Sequence, residues 1–177
     1  KIAFDLIVGS GPGGAEPHHR PGLRQIETGE PIVLDLGARV DGYHSDLTRT
    51  ICLGQPRDAR FMQIYGIVQR AQQAAIDGIR AGMSGVDADK LARDVIEAAG
   101  YGDYFGHGLG HGVGLAVHEL PRAGRLNPEP LPPDSTLTIE PGIYLPGWGG
   151  VRIEDLTLVR ENGVELMSRA SKEPLVL

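Results

Sequence analysis

The dipeptide Asp41-Gly42, set inside VLDLGARVDGYHSDLTRT, constrains the fold of this chain more than any other feature. Asp-Gly between two apolar runs is the strongest short signal for a two-residue β-hairpin, because both turn positions need a positive φ. With these as the turn residues, Val40 faces Tyr43, and facing positions sum to 83. Asp35 then faces Thr48. Asp46, two positions from Thr48, shares the sheet face of Asp35 as a diagonal neighbour, roughly 7–8 Å away. Two carboxylates so placed repel unless water or a cation separates them. Taken alone, the pair admits two readings: solvated acids on an exposed face, or half of a cation site.

A competing signal lies upstream. DLIVGSGPGG carries G-x-G-x-x-G at Gly9, Gly11 and Gly14, with Asp35 about 20 positions further on, as in a dinucleotide-binding βαβ unit. That unit needs a helix directly after the glycines, since the pyrophosphate sits on its N-terminus. Here AEPHHRPG follows, and Pro17 and Pro21 would each cost about 3 kcal/mol inside a helix. The stretch is therefore a proline-stiffened loop that delivers His18, and a flavin or nicotinamide protein is excluded.

The remaining chain reads as α+β. Strands are predicted over Ala3–Val8, Pro31–Val40 and Tyr43–Leu53, with a Gly/Pro-rich loop over 9–29. A helix over 57–81 follows from the helical spacing of Phe61, Ile64, Tyr65, Val68, Ala71, Ala75 and Ile79, and ends at Gly82. A second helix starts at the Ser84–Asp87 capping box and ends near Ala99, before Gly100. Glycine-rich strands are predicted over 105–118, 136–145 and 151–159. Strands, two helices and strands again imply a largely antiparallel sheet. No linker divides residues 1–177, so a single domain is expected. Lys1 stands close to an apolar strand, and the chain is read as an N-terminally truncated fragment of a longer one.

Composition narrows the function. A net charge of −6 with mixed signs offers no basic stripe for nucleic acid. No apolar run is long enough for a membrane span, and no signal peptide is visible, so a cytoplasmic location is the default expectation. The lone Cys52, in TRTICLG, reads as a small buried residue and excludes a cysteine metal cluster.

Two further acids and three histidines stand out. Glu140 ends a strand in LTIEPGIY, stopped by Pro141-Gly142. Glu154 is read as mid-strand in GVRIEDLTLV, sharing a face with Arg152, Leu156 and Leu158, where a buried ion pair with Arg152 is an alternative role. HGLGHGVGLAVHE carries His107, His111 and His118 among glycines that disfavour a helix, so it is no helical H-E-x-x-H motif. Four carboxylates with at least one imidazole suit Mn²⁺, Co²⁺, Fe²⁺ or Zn²⁺. They exceed what one ion needs, whereas two ions about 3.5–4 Å apart would use them all.

On VLDLGARVDGYHSDLTRT, HGLGHGVGLAVHE, LTIEPGIY and GVRIED together, the chain resembles the pita-bread dinuclear metallopeptidases, which include methionine aminopeptidase, Xaa-Pro aminopeptidase and prolidase. The resemblance spans essentially the whole chain and implies a curved, largely antiparallel sheet with helices on one face. The family fold has two halves, each with a helix pair. Residues 57–99 supply one pair, so the N-terminal pair is expected to be missing and one sheet face bare.

The resemblance also implies roles. Asp46 and Glu154 would bridge two divalent ions, with Asp35 completing one site and His111 with Glu140 the other. Manganese is the favoured metal, and cobalt, zinc or iron are alternatives. His18 would face the substrate, His118 the scissile peptide, and His107 the proline-side pocket. Glu140 would also move a proton to the leaving amine. Arg152 would stand near the site with Asp155 supporting it. Tyr43 and Trp148 are candidate pocket walls, Tyr43 being read first as a core residue.

His107 is a feature of the Xaa-Pro branch, so the expected reaction is hydrolysis between an N-terminal residue and proline, as in Xaa-Pro aminopeptidase. The expected partner is a peptide with proline second, and a homodimer is expected. The alternative is prolidase, which needs an arginine for the dipeptide carboxylate; Arg122 and Arg125 are the candidates. Methionine aminopeptidase and a non-catalytic binding module on the same fold stand behind these.

Overall fold

The Asp41-Gly42 turn forms as the sequence requires. The computed structural model describes residues 1–177. Strand β1 (Ile7–Ser10) pairs antiparallel with β2 (Pro31–Leu36), and β3 (Arg39–Val40) turns through Asp41 (φ 51°) and Gly42 (φ 93°) into β4 (Tyr43–His44). The return continues as β5 (Leu47–Cys52). Val40 faces Tyr43 and Asp35 faces Thr48, the register read from the turn. The long strands predicted on either side are each interrupted. Ala38 N–H donates to Ser45 Oγ at 3.0 Å and Ser45 N–H to Ala38 O at 2.9 Å, outside the regular ladder. Asp46 therefore stands at the entrance to β5 and not inside a strand.

The first strand lies later than Ala3–Val8. Ser10 still pairs with Ile32, and a short 3₁₀ turn over Gly11–Ala15 follows in place of an α-helix. The glycines of the apparent fingerprint serve close packing. A Cβ on Gly14 would meet Gly9 O at 2.9 Å and Gly150 N at 3.2 Å.

Two helices follow, α1 (Arg60–Gly78) and α2 (Gly85–Ala98). α1 is shorter than 57–81 because its flanking amides are used elsewhere. Arg57 N–H donates to Gly29 O, Ala81 N–H to Arg160 O, and Gly82 N–H to Leu131 O, each at 2.9 Å. At the start of α2, Ser84 Oγ accepts from Asp87 N–H at 3.0 Å, the N-cap bond expected, while the Asp87 carboxylate accepts from the Ser84 hydroxyl at 2.7 Å in place of the Ser84 N–H. Phe61, Ile64, Val68, Ala71 and Ala75 of α1 and Ala88, Ala92 and Ile96 of α2 bury one stripe each in a common core with Leu137, Ile139, Ile143, Val151 and Ile153. Truncating one of these larger side chains to Ala costs about 2–5 kcal/mol.

The second half is built of short strands: β6 (Gly110–Gly112), β7 (Glu119–Ala123), β8 (Thr136–Ile139), β9 (Gly142–Leu145), β10 (Gly149–Arg152), β11 (Asp155–Arg160), β12 (Gly163–Leu166) and β13 (Leu175–Val176). They pair as β10-β9, β12-β11-β8 and β6-β7, while β13 joins the first sheet to give β1-β2-β5-β13. Every ladder is antiparallel except β13 on β5. The fold is α+β, as expected. The strand predicted over 105–118 shrinks to β6 because side chains take its amides. Leu109 N–H donates to Asp89 Oδ1, His111 N–H to Thr138 Oγ1 and Val113 N–H to Thr136 Oγ1. The strand predicted over 151–159 breaks at Ile153-Glu154, and Glu154 N–H donates to Thr48 O at 3.1 Å. Glu154 is thus at a strand break, not in mid-strand. No helix is long and apolar enough to cross a membrane.

Candidate metal centre

The five expected ligands, Asp35, Asp46, His111, Glu140 and Glu154, line one cavity of about 910 Å³ together with His18, His107, His118 and Arg152. The four acids arrive from four places. Asp35 comes from β2, Asp46 from the entrance to β5, Glu140 from the end of β8 and Glu154 from the β10–β11 break. Asp35 is 9% exposed and Asp46 5%, which rules out solvated acids on an open sheet face. His111 sits in β6, where the chain passes so close to β8 that a Cβ on Gly110 would run into Thr138 O. Its Nε2 lies 3.2 Å from Glu140 Oε1 and 3.8 Å from Asp46 Oδ2.

The packing of these groups sets their protonation. Burial, with the charges of Asp35 and Glu140, pushes Asp46 up to about 7. Burial and the charges of Glu140, Asp46 and Asp35 push Glu154 well above the carboxylate range. Asp35 is raised by burial despite the opposing charge of Arg152. Burial would also raise Glu140, but the hydrogen bond from His111 and the charges of His107, His111 and Arg152 outweigh it and hold Glu140 at about 2. Burial works against charge on His111, yet Glu140 and Asp46 raise its pKa overall.

Arg152, 3% exposed, organises one wall. It donates to Asp35 Oδ2 at 2.7 Å, Tyr144 Oη at 3.0 Å, Thr48 Oγ1 at 3.1 Å and Pro17 O at 3.2 Å. Its ion-pair partner is therefore Asp35; Glu154 instead accepts from Thr48 Oγ1 at 2.6 Å. Tyr144 Oη lies 2.8 Å from His107 Nε2. Because Arg152 already donates to that oxygen, the Tyr144 hydroxyl donates to His107. His107 then carries its proton on Nδ1, which donates to Gly108 O at 2.8 Å. Burial lowers the His107 pKa, keeping it neutral. The loop that carries it is clamped from α2, where Arg93 pairs with Asp89 and donates to the carbonyls of Phe105 and His107. His118, exposed on the wall, packs its ring 4.2 Å from that of His111. Burial, then the neighbouring His111, lowers its pKa.

Several expectations need correction. Asp155 does not support Arg152; it pairs with Arg49 at 2.7 Å and Lys172 at 3.1 Å. Tyr43 is 64% exposed and belongs neither to the core nor to the cavity. Trp148 packs against the main core with Arg60 over its ring, and does not line the cavity. Of the two candidate arginines, Arg122 lines the cavity, whereas Arg125 lies out beside Glu97 at 3.7 Å. Thr48, Tyr144 and the Asp89–Arg93 pair were not singled out from sequence, because single Thr, Tyr and i,i+4 pairs are commonplace without their partners in view.

The residues fit divalent ions. Ligating atoms of Asp46, His111 and Glu154 all lie within 4.8 Å of one another. Asp35 Oδ1 is buried with no hydrogen-bond partner, the state expected of an oxygen that faces a cation. Oxygen-rich ligands with one imidazole suit first-row divalent metals.

Comparison with known proteins agrees. A model of metallopeptidase family M24 matches residues 1–161. The chain is 46% identical over 175 residues to a protein of Pyrococcus furiosus named Xaa-Pro dipeptidase, covering 99% of this chain and 50% of that protein. A solved Xaa-Pro dipeptidase from Bacillus anthracis superposes with a TM-score of 0.97 at 46% identity, over 100% of this chain and 50% of that one. An X-Pro aminopeptidase structure from Thermotoga maritima superposes with a TM-score of 0.96 at 40% identity, over 99% and 50%. The chain spans about half the length of these relatives.

Proposed function

Since the chain belongs to metallopeptidase family M24 and carries its pita-bread fold, we propose that its cavity is the catalytic centre of a metal-dependent Xaa-Pro dipeptidase. The observation that carries this is the convergence of Asp35, Asp46, His111, Glu140 and Glu154 on one cavity. These five would hold two divalent ions, manganese being favoured. When bound, such ions supply a Lewis acid and a water that ionises near neutral pH.

The protein groups around them have separate tasks. Glu140 accepts the proton of the attacking water and passes it to the leaving proline nitrogen. His118 donates to the carbonyl oxygen of the scissile bond. Neutral His107, fixed by Tyr144, forms a wall for the proline ring, and His18 on its proline-stiffened loop faces the substrate from the other side. Arg152 holds Asp35 in place.

The sequence alone favoured an aminopeptidase; two supports move the reading to the dipeptidase. Relatives named Xaa-Pro dipeptidase match at 46% identity. Arg122 lies on the cavity wall, near enough to His118 to lower its pKa, where it would meet a dipeptide carboxylate. The test is hydrolysis of Xaa-Pro dipeptides against Xaa-Pro-Xaa tripeptides in Mn²⁺. Preferential dipeptide cleavage supports the reading, release of the first residue from tripeptides alone restores the aminopeptidase, and no cleavage with no bound metal favours a binding module.

A further inference from the structure

Arg49 lies on β5 beside Thr48, its side chain 13% exposed, and it does not line the cavity. A guanidinium has five N–H donors in a fixed fork. Here all five directions are used. Nε donates to Ser171 O at 2.8 Å, and Nη2 to Ala170 O at 2.8 Å and Asp155 Oδ1 at 2.7 Å. Nη1 donates to Thr48 O at 2.8 Å and to Glu154 O. One side chain thus joins two parts of the molecule, the segment 168–172 and the backbone that presents Glu154.

The second connection matters because Glu154 sits at a strand break. Regular pairing does not fix its peptide groups. They are held by Thr48 O, which accepts from Glu154 N–H at 3.1 Å, and by Arg49, which serves the carbonyls of both Thr48 and Glu154. Thr48 Oγ1 then holds the Glu154 carboxylate at 2.6 Å. On the other side, the segment is anchored independently. Lys172 Nζ reaches Asp155 Oδ2 at 3.1 Å, its carbonyl accepts from Tyr65 and Gln69, and Leu156 N–H donates to Ser168 Oγ at 2.9 Å.

We infer that Arg49 is a positioning residue that couples the docking of segment 168–172 to the aim of the Glu154 carboxylate, and so to metal affinity. The inference rests on the reading of Glu154 as a ligand. Removing a group that orients a metal ligand typically weakens metal binding about 10–100-fold, and that is the change expected here.

The experiment is Mn²⁺ titration calorimetry on the unaltered chain, Arg49→Met, Arg49→Lys, Glu154→Gln and the double variant Ser168→Ala, Lys172→Met, with amide exchange followed over residues 168–172. Arg49→Met should weaken Mn²⁺ binding about 10–100-fold and free the segment amides, and Arg49→Lys should recover part of the loss. The double variant keeps Arg49 but loses the Ser168 Oγ and Lys172 Nζ anchors of the segment, and should weaken binding in the same direction. It decides the matter if Arg49→Met does not fold. Unchanged Mn²⁺ affinity in the Arg49 variants or the double variant, with Glu154→Gln losing the metal, overturns the coupling alone. Retained Mn²⁺ in Glu154→Gln overturns the ligand reading and the coupling with it.

Discussion

Arg152 Nη2 donates to Asp35 Oδ2 at 2.7 Å, while Asp35 Oδ1, on the same carboxylate, is buried without a partner. One oxygen is thus held by a permanent internal cation and the other is left without a donor. That division fixes the orientation of the carboxylate before any ligand arrives, the arrangement a ligand needs if it is not to lose rotamer freedom on binding.

The first prediction tests that pair. Arg152→Met leaves Asp35 buried beside an apolar side chain and also strips Tyr144 Oη, Thr48 Oγ1 and Pro17 O of a donor. Breaking a buried pair by removing one partner costs about 3–5 kcal/mol. Urea unfolding of the metal-free chain should show a loss of that order. Adding Asp35→Asn should recover part of it, because the uncompensated charge is gone. Additive losses in the double variant would mean that the two residues act separately.

A second prediction concerns pH and metal removal. Asp46 is pushed up to about 7 and Glu154 is also raised, so the folded metal-free chain keeps protons that the unfolded chain releases above the ordinary carboxylate range. Stability therefore falls as pH rises through that window, up to about 7 for Asp46. His111 points the same way. Its pKa is raised, so its contribution is full below the ordinary histidine value and fades as pH rises past the folded one. Glu140, held at about 2, stabilises above its ordinary value and loses that only as pH falls towards 2. His107 and His118, whose pKa values are lowered, oppose this only below the ordinary histidine value of about 6.5, so in chelator the melting temperature should fall from about pH 6.5 to pH 8, and saturating Mn²⁺ should abolish the decline. Melts that are flat with pH in chelator would contradict the clustering of these acids.

The third prediction is a tautomer. The chain Arg152 to Tyr144 to His107 to Gly108 O leaves the His107 proton on Nδ1. Nitrogen-15 NMR should find a neutral Nδ1–H imidazole at pH 7. Tyr144→Phe removes the donor to Nε2, and the imidazole signals should then move towards a mixture of tautomers. An Nε2–H tautomer in the unaltered chain would mean that His107 donates to Tyr144 Oη, which would then accept from both His107 and Arg152.

How much of this was legible beforehand differs residue by residue. Asp35 facing Thr48 followed from Asp41-Gly42 alone, because a two-residue turn leaves one register. The gathering of Glu140 and His111 onto the same cavity did not follow from spacing; it depends on β6 lying against β8, a contact between segments far apart in sequence. Glu154 was read as mid-strand because period-2 alternation continues across it. The break there comes from Thr48 O taking its amide, a tertiary bond with no local signal. The alternative of an Arg152–Glu154 ion pair fails for the same reason, since a shared strand face says nothing about a third strand, and Arg152 pairs with Asp35. Strand β7, with Pro121 in its middle, was missed because proline argues against a strand when its edge position is unknown.

The last prediction separates two arginines that sequence could not. Arg122 lines the cavity and Arg125 lies outside it beside Glu97. A guanidinium bonded to a substrate carboxylate is a charge-assisted contact worth about 1.5–3 kcal/mol, roughly 10–150-fold in kcat/KM. Arg122→Ala should lower kcat/KM for an Xaa-Pro dipeptide by that factor, mainly through KM. It should have little effect on the same dipeptide carrying a C-terminal amide, which presents no carboxylate. Arg125→Ala should leave both substrates unaffected. A larger loss from Arg125→Ala than from Arg122→Ala would move the carboxylate site out of the cavity. Equal losses on the free and amidated dipeptides would assign Arg122 to the wall and not to the carboxylate, and would remove one of the two supports for the dipeptidase reading.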